Sequence, residues 1–417
     1  MRLLSTLSLV SLSLACVEEP KDTTEPDCTA ATNCIDPEPE PNLDPATSLA
    51  FATPVSLGEV DSMERVSHGD VDGDGHVDLV HGYLDSLVWL KGDGQGGFSD
   101  EPAAWTSELL PEFVELLGEV GEASLSEGAF ISHLHELTLA DFDGDGRDDL
   151  LVAFSIQDDR GAYWSAVGTA NLNSSSWEIQ LLDFNGAYVS AEVIADLDSD
   201  GGAEVLIYTF EGCFLSRSGG PAEFLSEAFA GNYYPQSWTT HVDDDGRLDI
   251  VSFYNGGYGV TGVSAFLATE DGGFEEQPVE MLDFGHTAVG NGDHRTPATE
   301  IFLAANDGLY WLEGGESPAL QDAGTFFDGL FVWSAVFGDF TGSGDLDVLA
   351  RNPDEQLAYS GDGAGGFEWI ELEGLQIASD EVAVDLNKDG LDDLYRIEWS
   401  ERAQARVLEV IVNTSRR

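Results

Sequence analysis

One short acidic pattern recurs seven times along this chain, and it constrains the fold more than any other feature. Asp70-Val-Asp72-Gly-Asp74-Gly75 is followed by Asp78 and then by Leu79-Val80. Asp141, Asp143 and Asp145 lead to Asp149, and Asp196, Asp198 and Asp200 lead to Glu204. His241, Asp243 and Asp245 lead to Asp249, and Asp385, Asn387 and Asp389 lead to Asp393. A weaker copy starts at Asp339, with Thr341 and Ser343 where the others have acids, and a degenerate copy runs from Gly292 to Glu300. Successive copies lie 45 to 71 residues apart. A unit of that size holds several short strands and cannot bury its apolar faces alone, so neighbouring units must pack on one another.

The residues between the loops read as strands. In the first unit Glu64–Gly69 enters the loop, His76–Tyr83 leaves it, Leu87–Lys91 returns, and an outer strand starts at Phe98. Between the third and fourth strands lies Gly92-Asp-Gly94-Gln-Gly96-Gly97, which recurs as Gly361-Asp-Gly363-Ala-Gly365-Gly366. Both match a dinucleotide fingerprint, but each is followed by a Phe and an edge strand rather than a helix, so both are turns. Forty-seven glycines agree with many tight turns. Four strands per unit and seven units predict an all-β fold, a seven-bladed β-propeller of four-stranded blades. Only two strands remain after the last loop, Asp393–Trp399 and Arg406–Asn413. Ala50–Leu57 is therefore expected to supply the missing outer strand, an N-terminal strand pairing in the last blade that closes the ring and removes an exposed sheet edge. The first step is about twenty residues too long. Leu109, Leu110, Phe113, Leu116, Leu117 and Val120 recur there at helical spacing, which predicts a short amphipathic helix.

These motifs resemble the FG-GAP/VCBS repeats of integrin α-chain heads and of many bacterial surface proteins, over residues 49–414. The resemblance implies calcium in the loop that joins the first two strands of a blade. The implied ligands are the side chains at loop positions 1, 3, 5 and 9 and the backbone carbonyl at position 7, with glycine at position 6 permitting the turn. Calcium takes 6–8 oxygens at about 2.3–2.6 Å. A helix–loop–helix calcium hand would need a Glu at position 12, where these loops carry His81, Val152, Ile207, Ser252 and Arg396. The first, second and third loops have full acidic sets, and the last trades one charge for the Asn387 amide. His241 in the fourth loop favours a softer ion or weaker calcium. The sixth loop is doubtful and the fifth is read as empty, so about four or five calcium ions are expected. Because each loop belongs to its own blade, the sites are expected to be independent.

The N-terminus reads as an address. Residues 1–15 carry one Arg and a short apolar run that resembles a lipoprotein signal, with Cys16 as the lipidation site. Ser13 departs from the usual Leu three residues before the Cys, which leaves simple secretion open. Residues 16–48 form an acidic, Pro-rich flexible linker, and 49–417 form the propeller. Cys28 and Cys34 lie in the linker as a disulfide pair or as two free thiols. Cys213 reads as a buried strand thiol, and His133 and His135 as a strand pair without a third ligand.

Net charge is −63, from 16 basic and 79 acidic residues. That excludes nucleic acid and disfavours an anionic lipid surface, leaving a lipid anchor as the only membrane attachment. The five better loops take eighteen carboxylates, so 61 acids must coat the surface. Neither GxSxG nor HExxH is present. The expectation is a monomeric, non-enzymatic binding or adhesion module for an unknown protein or glycan, displayed on a bacterial outer membrane or cell surface or secreted. The alternatives are a polysaccharide lyase or hydrolase using the propeller funnel, and a structural scaffold of an envelope complex.

Overall fold

The computed structural model describes residues 48–415 except 61–64, 84–85, 101–129, 158–162, 172–177, 186–188, 195, 198–200, 210, 218–221, 228–232, 244, 256–260, 271, 279–287, 292–300, 306–307, 314–318, 323–333, 353–354, 363–365, 378–380 and 401–402. Cys16, Cys28, Cys34, Asp198, Asp200, the Gly292–Glu300 loop and the helix expected over Leu109–Val120 lie outside the described residues.

The 29 described strands form six four-stranded sheets and one five-stranded sheet, and the chain is an all-β propeller. The first sheet contains Arg65–Gly69, Asp78–Tyr83, Ser86–Gly92 and Phe98–Asp100. Phe130–Ala140, Asp149–Gln157, Tyr163–Asn171 and Glu178–Asn185 form the second. The third holds Val189–Ile194, Glu204–Thr209, Gly212–Ser216 and Glu223–Ser226, and the fourth starts at Tyr233–Thr240 and ends at Phe274–Pro278. Within each of these, consecutive strands pair antiparallel.

The expectation of four strands in every unit needs correcting. Ser48–Ala50 adds as a fifth strand, parallel to Phe367–Glu373, in the sheet that starts at Ser334–Gly338. Its extended backbone satisfies an edge that would otherwise face water, and Leu49 is fully buried there. The N-terminal strand expected over Ala50–Leu57 is placed slightly later. Val55–Val60 pairs antiparallel with Ala405–Ile411 beside Asp393–Ser400 and Glu381–Val384. Phe51 links the two segments through a bridge to Asn413.

The strands that leave the loops are the most apolar, because both of their faces are covered. Glu204–Thr209 is buried along its whole length, and Asp149–Gln157 is buried up to its last residue. The core lies between sheets. Val66, Leu79 and Leu90 of the first sheet pack on Val382, Tyr395 and Leu408 of the last. Leu151 and Val167 meet Ala191 and Ile207, and Leu206 and Tyr208 meet Ile250 and Phe266. Cys213 is a buried free thiol in the last of these clusters, and burial pushes its pKa well up, so it is no nucleophile. Among the described residues no helix is long and apolar enough to cross a membrane.

Candidate metal centre

Among the described residues the acidic loops are wound by their own carboxylates. In the first, Asp70 accepts the amides of Asp74 at 3.1 Å and Gly75 at 2.7 Å through its two oxygens. Asp72 Oδ1 accepts the Asp74 amide at 3.2 Å, and Asp74 Oδ1 accepts the His76 amide at 2.8 Å. The second loop repeats this, with Asp141 accepting Asp145 at 3.1 Å and Gly146 at 2.8 Å, and Asp143 accepting Asp145 at 3.1 Å. The last loop does the same with Asp385, Asn387 and Asp389. The position-6 residue takes a left-handed conformation, with φ of 81° at Gly75 and 85° at Gly146, which a side chain would resist.

The winding brings ligand oxygens together. One oxygen from each of Asp70, Asp72 and Asp78 lies within 4.8 Å of the others, and the same holds for Asp141, Asp143 and Asp145. Oxygens about 2.3–2.6 Å from a shared ion are at most about 5 Å apart, so both trios fit calcium. In the third loop, Asp196 accepts the Gly201 amide at 2.9 Å and Glu204 the Leu197 amide at 2.7 Å.

Sequence reasoning missed what the position-9 acid does. It is buried and clips the loop to the sheet. Asp78 accepts the Val71 amide at 3.2 Å with one oxygen and the Gly92 amide, on the returning strand, at 2.8 Å with the other. Asp249 accepts Val242 and Ala268, Asp347 accepts Thr341 and Gly361, and Asp393 accepts Leu386 and Asn413 in the same manner. The sixth loop keeps this architecture although Thr341 and Ser343 are poor ligands. Its Thr341 hydroxyl donates to Ser343 Oγ at 3.2 Å. The fixed acid at position 9 was thus legible as a candidate ligand, and its structural role was not.

The loops are not isolated from one another. Asp148, just before the second loop's position 9, donates its amide to the Asp70 carbonyl at 2.9 Å, and its Oδ2 accepts the Asp70 amide at 2.5 Å. Ala203 bonds the Asp141 carbonyl at 2.8 Å. Asp392 ties itself to Asp339 through both groups, at 2.9 and 2.8 Å. The Asn413 amide group donates to the carbonyls of Phe340 at 2.9 Å and Asp392 at 3.1 Å.

Basic side chains enter two loops. Lys91 Nζ pairs with Asp72 Oδ2 and lies 3.0 Å from Asp74 Oδ2, and these bonds hold the ammonium above the ordinary lysine range. In the fourth loop the Arg247 guanidinium pairs with Asp245. His241 is not turned to the acids. Its Nδ1 donates to the Arg247 carbonyl at 2.7 Å, the position-7 oxygen that the resemblance assigns to an ion. The pair His133 and His135 stacks with ring centroids 6.0 Å apart, and His135 Nε2 meets Ser155 Oγ at 2.5 Å.

Several carboxyls are pushed up by burial. Asp78 rises to about 6, and Asp347, Asp392 and Asp393 to about 7, against the opposing effect of the amides they accept. Glu136 also rises to about 7 through burial. These folded-state values exceed the unfolded ones, so ionising each group costs stability. The cost is fully present above about pH 8 and is relieved as pH falls through 7 and 6. Buried His68 and His135, lowered to about 4, oppose this only below their ordinary value near 6.5. In EGTA the melting temperature is therefore expected to rise as pH falls from 8 to 6.5. In saturating calcium the rise should shrink or reverse, because protons compete with the ion at Asp78 and Asp393. Scanning calorimetry over that window checks this; a melting point that falls with pH in EGTA contradicts it.

No family model matches the chain, and no curated protein matches it. Solved structures do. One is that of an Agrocybe aegerita lectin, described for specific recognition of non-reducing terminal N-acetylglucosamine. The likeness has a TM-score of 0.51 at 17% identity and covers 79% of this chain and 87% of that one. The two share a fold. A chain of the Photorhabdus luminescens Tc holotoxin pore is similar at 16% identity with a TM-score of 0.35, over 81% of this chain and 16% of that one.

Proposed function

We propose that this protein is a calcium-stabilised, non-enzymatic binding module whose ligand is a glycan. The observation that carries the calcium reading is the convergence of carboxylate oxygens in the first two loops. Hard, clustered oxygens suit calcium, and like charges this close repel unless a cation sits among them, which in the first loop Lys91 already does in part. The FG-GAP/VCBS resemblance of the loops and the arrangement of seven sheets as seven blades, with Val55–Val60 closing the ring, belong to the same reading. So do a lipid anchor at Cys16, display on a bacterial envelope, and a monomer. The glycan class is supported by the lectin that shares the fold, a likeness of fold alone. Ions stiffen the loops at the sheet ends, and the ligand binds a surface that this stiffening holds in shape. The test is a glycan array that includes terminal N-acetylglucosamine, run in calcium and in EGTA. Binding that is lost in EGTA supports the reading; no glycan binding in calcium overturns the ligand class.

An enzymatic reading has one observation in its favour. Glu136 and Glu192 lie on Phe130–Ala140 and Val189–Ile194, first strands of adjacent sheets. Glu192 Oε2 is buried without a hydrogen-bond partner. Burial, and then the charge of Glu136, push the Glu192 carboxyl well up. Hydrolysis of a glycosidic bond uses a carboxyl pair in which one is raised and donates its proton while the other is ionised, and of these two Glu192 is the candidate acid. Release of reducing sugar that Glu136→Gln abolishes would favour this reading over simple binding.

A further inference from the structure

We propose that the first loop carries its own counter-cation, the Lys91 ammonium, and so takes a divalent ion less readily than the second loop. This rests on the reading of the loops as calcium sites. Lys91 reaches the carboxylates at positions 3 and 5, Asp72 and Asp74, the side chains an ion would share. It comes from the strand Ser86–Gly92, directly after Leu90, which pairs with Leu79. Register decides which residue occupies this place in the other sheets. It is Asn171 after Ala170 in the second, Leu267 in the fourth, Ser360 in the sixth and Val412 in the last. None of these is charged, and in the fifth, where Ile301 pairs with Leu312, it is the acidic Glu313. In the third it is Arg217, which turns away to the Gly272 carbonyl at 3.0 Å and lies over the Phe274 ring.

Two further cations lean on the same loop from its neighbours. Arg147 of the second loop packs against Gly73, and Lys388 of the last loop points its ammonium at Gly75. A Cβ built on these glycines would lie 3.0 and 3.3 Å from those side chains. Lys91 thus pairs with two of the four loop carboxylates, and Arg147 and Lys388 lie beside the loop's glycines, in a molecule of charge −63. The loop is therefore partly neutralised before any metal arrives. A divalent ion entering it must displace Lys91 and meet the remaining positive charge, whereas register gives the second sheet an uncharged residue, Asn171, at the corresponding position. The fourth loop follows the same logic, with Arg247 on Asp245 and His241 on the carbonyl.

The experiment counts bound calcium by equilibrium dialysis and measures melting in EGTA for the full chain. The variants are Lys91→Met, Lys91→Arg and the second-loop double change Asp143→Asn with Asp145→Asn. Removing one positive charge at ion-pair distance should tighten calcium at the first loop by about tenfold or more. At calcium that just fills the second loop, Lys91→Met is expected to hold one ion more than wild type, and the double change one fewer. In EGTA, Lys91→Met should melt below wild type and Lys91→Arg beside it. A Lys91→Met protein that matches wild type in both ion count and EGTA melting overturns the proposal. If no variant binds any ion, the calcium reading falls, and EGTA melting, which needs no metal, still decides whether Lys91 holds the loop.

Discussion

Chelating calcium is expected to lower the melting temperature by roughly 10 °C, taking about three filled loops and the usual temperature equivalence of stability. An ion that binds only the folded chain contributes about 2.7 kcal/mol per independent site at a concentration of 100 Kd. Three such loops would match the whole stability of an ordinary domain, about 5–15 kcal/mol. The loss should be larger at low salt, because the carboxylates of the second loop then face each other unscreened. Calcium should restore the melting point better than magnesium, which demands tighter octahedral geometry. Because Asp148 and Asp392 bond the neighbouring loops, emptying one site should also loosen the next. Metal content and calorimetry with and without EGTA check this. A content near zero with an unmoved melting point would show that the loops are acidic turns held by their own amides.

The second large effect lies away from the loops. Arg396 is 7% exposed in the sheet that Val55–Val60 joins. Its Nη1 meets Glu381 Oε1 at 2.9 Å and the Gln376 carbonyl, and its Nε and Nη2 both meet Glu409 Oε2 at 3.1 Å. Arg396→Ala is expected to cost about 3–5 kcal/mol, because it leaves two carboxylates desolvated without their cation. Joint replacement of Arg396, Glu381 and Glu409 by apolar residues of similar volume should recover most of that loss. Denaturant unfolding of the single and triple variants measures it. A single variant within about 1 kcal/mol of wild type would mean that water reaches the site on substitution.

Much of the fold is local and therefore readable in the chain. The alternation of loop, apolar strand and glycine turn placed Arg65–Gly69, Asp78–Tyr83 and Ser86–Gly92 within two residues of their observed bounds. The loop winding is equally local, since Asp70 to Gly75 and Asp141 to Gly146 bond within five residues. Those contacts depend on spacing alone.

Only the tertiary structure could decide the rest, because it rests on partners brought together by register and sheet packing. Ser48–Ala50 finds Glu371–Glu373 across more than three hundred residues, so no short pattern announces a fifth strand. Lys91 is an ordinary strand lysine until pairing of Leu79 with Leu90 aims it at Asp72. Lys388 meets the first loop from the last, and Asp148 meets Asp70 from the second. Glu136 and Glu192 look like two acids among 79, and only the packing of their strands makes them neighbours. A sequence states which groups can bind a cation; which cation reaches them is settled by electrostatics acting over a few ångströms, and those ångströms exist only in the folded chain.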